Sequence, residues 1–101
     1  MEIKNETRML DGREIRVVVA PIGVVSLVYA MTGRGILTCG AIDPVALEKF
    51  GIAAARVRPV SSPSIARFED LVGGTVREAN GPAKALGVVE GMSGAEALAR
   101  L

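Results

Sequence analysis

At 101 residues the chain has the length of one domain, residues 1–101, and its net charge of +1 comes from twelve basic and eleven acidic side chains scattered along it. That balance, with three aromatic residues and no basic run, speaks against a nucleic-acid partner. A single cysteine and no histidine rule out an internal disulfide and a Cys–His dyad, and leave no donor set for a zinc site.

The first stretch, Glu2 to Leu10, reads as a strand. Asp11-Gly12 is a hairpin turn signal, and Glu14 to Ala20 is β-branched and increasingly apolar. Pro21-Ile22-Gly23 makes a turn or bulge before a third strand, Val24 to Met31. Thr32-Gly33-Arg34-Gly35 then turns the chain into Ile36 to Ile42, seven residues without a charge. Three successive hairpins predict an antiparallel meander over residues 1–42. Asp43-Pro44 fits an N-cap followed by the first helical position, Val45, Leu47 and Phe50 give a short helix, and Gly51 fits its stop.

Residues 43–101 mix helix and strand. Ile52 to Val60 reads as a strand ended by Pro59. Ser61-Ser62-Pro63 predicts the start of a helix carrying Ile65, Phe68, Leu71 and Val72, stopped by Gly73-Gly74. From Thr75 to Leu86 the spacing of Val76, Ala79, Ala83 and Leu86 is helical, with a break expected at Asn80-Gly81-Pro82. Ser93 and Glu96 form the capping box of a last helix.

Three segments carry a family resemblance: Gly-Ile-Leu-Thr-Cys-Gly-Ala-Ile-Asp at 35–43, Ile-Ala-Ala-Ala-Arg-Val at 52–57 and Gly-Met-Ser-Gly-Ala-Glu-Ala-Leu at 91–98. In order and spacing the chain resembles the YunC-like family, a small bacterial and archaeal domain of unknown function. The resemblance implies an α+β fold whose N-terminal β-region mediates tetramerisation, and implies no activity. It also implies an unbroken helix where this chain has Asn80-Gly81-Pro82.

Surface arithmetic leads to assembly by a separate route. Val17 to Met31 holds twelve apolar residues in fifteen and no charge, so both faces of these strands are apolar. Five strands about 23 Å long at about 4.8 Å spacing present a face of roughly 550 Å². Four short helices cover roughly 500 Å², enough for one face. Leaving six Val, Leu or Ile side chains of the other face wet forgoes on the order of 10 kcal/mol. The expected architecture is therefore a two-layer α+β domain with a mainly antiparallel sheet and short helices on one face. The other face is expected to contact further copies of the chain, as a dimer or tetramer.

Candidate chemistry is sparse. Cys39 is the nucleophile candidate, but a cysteine in an apolar strand behaves as a small hydrophobe. Asp43, four residues on, could serve as acid or base, yet as an N-cap its carboxylate is already engaged by backbone N–H groups. Arg56 and Arg58 alternate along one strand face and could clamp a small anion, although such a pair is more often a solvated edge or an interface ion pair; Arg56, within a segment that carries the family resemblance, is the first anion-binding candidate. Ser93 sits at a helix start, where free N–H groups favour anions, although its capping role accounts for it without a ligand. No clustered carboxylates suggest a metal, and nothing suggests a cofactor.

The reading is a homo-oligomeric structural or small-ligand-binding module whose candidate ligand is a small anion near Arg56 and the helix starts. Its rival is a small enzyme with an intersubunit site using Cys39 with Asp43 and Arg56. Met-Glu-Ile-Lys-Asn-Glu lacks the pattern of a signal peptide, and Pro21 and Gly23 interrupt the only long uncharged stretch, so a cytoplasmic location without a membrane span is expected. Absence of glutamine and an excess of arginine over lysine, nine to three, point to a thermophilic source.

Overall fold

Residues 2–101 are described by a computed structural model. Its organising element is a six-stranded sheet in sequence order, β1 (Lys4–Leu10), β2 (Arg13–Ile22), β3 (Val25–Met31), β4 (Gly35–Thr38), β5 (Ala53–Arg58) and β6 (Thr75–Ala79). The first four strands form an antiparallel meander, and β5 pairs antiparallel with β6. Between β4 and β5 the pairing is parallel, because helix α1 (Pro44–Glu48) carries the chain back across the sheet. Helices α2 (Phe68–Val72), α3 (Gly81–Ala85) and α4 (Gly94–Arg100) complete the expected α+β fold.

Local chemistry explains the turns. Asp11 and Gly12 both take positive φ, 53° and 77°, the conformation that a two-residue turn between right-twisted strands requires. Asp43 Oδ1 accepts from Val45 N at 2.9 Å, capping α1 with Pro44 inside its first turn.

Register sorts the side chains into two faces. Val17, Ala30, Leu37, Ala55 and Ala79 form one continuous cross-strand row, every member buried. Phe68 and Leu71 of α2 and Ala97 and Leu98 of α4 join them in a single core. The neighbouring row, on the opposite face, runs Val18, Tyr29, Thr38, Arg56, Glu78. Near β5 this second face is closed, with Thr38 and Ala54 buried. Near β2 and β3 it is apolar and open: Ile22, Val25 and Met31 are exposed.

Several elements differ from the sequence expectation: β4 ends at Thr38 instead of running to Ile42, and β2 continues through Pro21 to Ile22, where the sequence predicts a turn or bulge. Thr75 to Ala79 is strand, and the helix over 81–85 begins at Asn80-Gly81-Pro82 instead of breaking there. Asn80 is its N-cap, with Oδ1 accepting from Ala83 N at 3.0 Å, so the three residues expected to break a helix start one. Likewise α2 begins at Phe68, not near Pro63. Its start is set by Asp70, whose Oδ2 accepts from the backbone N–H of Ala66 at 3.0 Å and of Arg67 at 3.1 Å.

Those two backbone donors, Ala66 first, hold the Asp70 carboxyl below the ordinary carboxylate range, helped by the Arg67 charge and the Ser62 hydroxyl and opposed by desolvation. Since the folded pKa lies below the unfolded one of about 3.9, the contribution is complete above that value and is lost as pH falls through the folded value. Asp70→Asn is therefore expected to be less stable than the parent at pH 7, with a smaller gap at a second, acidic pH below the unfolded value of about 3.9, in urea titrations. An equal gap at both pH values would remove the carboxylate from this account.

Candidate functional site

Parallel strands leave a crevice beyond their carboxyl ends, and β4 and β5 are the parallel pair of this sheet. Cys39, Gly40 and Ala41 leave β4 there, and Arg58-Pro59 leave β5. Val25 and Ser26 open the antiparallel β3 at the same end, and the connection to α2 brings Pro63, Ser64 and Ile65 over it. These residues, with Val57 and Arg77, line a cleft of about 320 Å³.

Arg77 reaches this cleft through an irregularity in the ladder. Arg56 pairs with Glu78, but Val57 pairs with Val76, so Arg77 is an extra residue on β6. Such a bulge re-aims a side chain that regular pleating would place elsewhere. Arg58 and Arg77 are both exposed, and neither forms a salt bridge among the described residues. Among the described residues no carboxylate lines the cleft. It is a largely apolar pocket with two arginines among its lining residues.

Arg56 is differently placed. Its Nη2 lies 2.7 Å from Glu78 Oε1 and its Nη1 donates to Gly40 O at 3.3 Å, while its Nε is buried without a partner. Glu78 Oε1 also lacks an aligned hydrogen bond, so the close approach is a charge contact with poor directionality. The pair braces β5 against β6 behind the cleft and is absent from its lining.

Cys39 forms part of the wall but is only 5 % exposed, and its Sγ accepts from Val28 N at 3.4 Å. A thiol so enclosed has little room for an electrophile to approach. Iodoacetamide is expected to alkylate Cys39 in the folded protein at least about tenfold more slowly than free cysteine at neutral pH, measured by mass spectrometry. A rate above that of the free thiol would make it a reactive centre.

The remaining candidates lie outside the cleft. Asp43 is the cap of α1, and Ser93 Oγ accepts from Glu96 N at 3.1 Å in the capping box of α4. The structure thus groups Cys39 with Arg58, and sets Asp43, Arg56 and Ser93 apart from them. Arg77 escaped the sequence reading because a strand bulge leaves no local motif. Among the described residues no cluster of three or more metal-ligating side chains occurs, and no helix is long and apolar enough to cross a membrane.

Residues 38–101 match the family described as a domain of unknown function, DUF1805. The chain belongs to that family. The DUF1805 match takes in every cleft residue except Val25 and Ser26, and begins at the last residue of β4. A crystal structure of a protein of unknown function from Thermoplasma acidophilum has the same fold, with a TM-score of 0.85 at 20% identity over 99% of this chain and 93% of that one. A search of curated proteins finds no match.

Proposed function

We propose that this DUF1805 chain is a homo-oligomeric binding module that takes a small anion in the cleft at the ends of β4 and β5. One observation carries the site: Arg58 and Arg77 both line a cleft that, among the described residues, has no carboxylate in its wall, and one of them is brought there by a bulge. Two guanidinium groups without acidic partners suit a carboxylate or phosphate, which each can hold through two parallel N–H donors. Inorganic phosphate titrated into the protein in a calorimeter at low ionic strength is expected to bind saturably, and Arg77→Ala to weaken it by about tenfold, the value of one charge-assisted contact. Binding unchanged in both Arg58→Ala and Arg77→Ala would place the anion elsewhere.

The homo-oligomer rests on the open apolar face of β2 and β3, where Ile22, Val25 and Met31 stand exposed on the same side of the sheet. In this reading the meander of residues 1–42 supplies the contact and residues 43–101 supply most of the cleft. Placing the chain within the YunC-like group, with its tetramer, agrees with this division, as does a cytoplasmic, thermophilic setting with its arginine-rich composition. Cys39 in the cleft wall supports a second reading, a small enzyme using that thiol. Its Asp43 and Arg56 partners, however, do not line the cleft.

A further inference from the structure

Resting on the anion site proposed above, we infer that its ligand is a short aliphatic organic acid, not a bare inorganic anion. The cleft is divided by chemistry. Arg58 and Arg77 supply the charge, while Val25, Pro59, Pro63 and Ile65 supply wall with no hydrogen-bonding side chain. A fully hydrated inorganic ion satisfies the arginines but leaves that wall against water, whereas an acid with an alkyl body covers both. Size agrees: about 320 Å³ corresponds to roughly ten water-sized volumes of about 30 Å³ each. A carboxylate of four to six carbons, with about six to eight non-hydrogen atoms of comparable volume each, fits within it. Sugars and polyols fit poorly, since the wall offers their hydroxyls few partners beyond Ser26 and Ser64.

The anionic end lies at the arginines and the alkyl body runs toward Ile65, which is buried at the head of α2. Val25 is half exposed, so it can be made polar without opening the core.

The test is calorimetric titration of the full chain at constant ionic strength with inorganic phosphate, acetate, butyrate, hexanoate and the matching alkanols. Affinity is expected to rise about fourfold for each methylene that enters the cleft, from acetate to hexanoate, with no saturable binding of the alkanols. Val25→Ser is expected to flatten the chain-length dependence, with its oligomeric state compared with the parent's by sedimentation so that a change in assembly is told apart from a change in the cleft. If phosphate and acetate bind and hexanoate binds no better than acetate, the organic-acid inference is overturned and the anion site stands. If none of the anions binds, the site itself is lost. Alkanols binding as well as the acids would assign the cleft to apolar ligands and overturn both.

Discussion

Asn80→Ala is expected to lower folding stability by about 4 kcal/mol, a large share of the 5–15 kcal/mol typical of a domain. The side chain is 4 % exposed and uses all of its hydrogen-bonding capacity. Its Oδ1 accepts from Ala54 N at 3.1 Å and Ala83 N at 3.0 Å; its Nδ2 donates to Pro44 O at 2.9 Å and Ile52 O at 2.8 Å. One residue thereby ties the start of α1, the entry to β5 and the first turn of α3. Alanine leaves two donors and two acceptors without partners, each costing about 1–3 kcal/mol if water cannot reach it. Water entering the vacated space recovers part of that sum. Asn80→Asp tests the orientation of the amide. It keeps an acceptor for both N–H groups but sets an oxygen against the carbonyls of Pro44 and Ile52. The aspartate variant should be nearly as damaged as alanine at neutral pH and should recover relative to the parent in acid, where protonation restores a donor. Urea midpoints at pH 7 and pH 4 measure both effects. A loss below about 1 kcal/mol for alanine would show that these bonds contribute little net stability.

Gly94→Ala is expected to cost at least about 3 kcal/mol, although alanine normally favours a helix over glycine by about 1 kcal/mol. A Cβ on Gly94 would press into the carbonyl oxygen of Leu71 and stand 3.0 Å from Val72 Cα and 3.1 Å from Leu71 C. These are backbone atoms of α2, so relief requires α2 and α4 to separate, and with them the buried Leu71, Ala97 and Leu98. Gly94 N also donates to Gly74 O at 2.9 Å, which holds the two segments in register. Gly33→Ala is the control: nothing lies within 4 Å of its Cβ position, and its effect should stay within about 0.5 kcal/mol. Equal thermal midpoints for the two variants would mean that the helices accommodate the methyl group freely.

Elements whose signals are local were legible in the residues themselves. Asp43-Pro44, Ser93 with Glu96 and Asp11-Gly12 each act through neighbours in sequence, and each adopts the expected cap or turn. The alternation of the meander was readable for the same reason. The error at 75–86 has a specific physical cause. A regular strand places every second residue on one face, but the bulge at Arg77 shifts the phase, so Val76 and Ala79 both reach the core from positions three apart. Three is a helical interval, and Ala83 and Leu86, which belong to α3 and its cap, extend the pattern by coincidence. The same displaced residue is the part of the cleft that motif reading missed, while Cys39 and Arg58, placed by regular strands, were picked out. Arg56, inside the motif that carries the family resemblance, stands ahead of Arg58 in sequence as the anion candidate; the structure ties Arg56 to Glu78 and places Arg58 in the cleft wall.

The rims of the sheet bear on how copies of the chain can meet. On one side β1 carries Lys4, Glu6 and Arg8, with Arg8 bonded to Glu6 and Glu69 and its guanidinium 4.6 Å from the centre of the Phe68 ring. On the other, the segment before α4 lies alongside β6: Gly91 N donates to Val76 O, Val76 N donates to Met92 O, and Thr75 bridges to Ser93. One margin is charged and the other is already occupied by the chain's own backbone, the two means by which open-ended strand addition is discouraged. Growth by adding strand to strand is thus disfavoured at both margins, and the homo-oligomer proposed above would have to form by stacking sheet upon sheet.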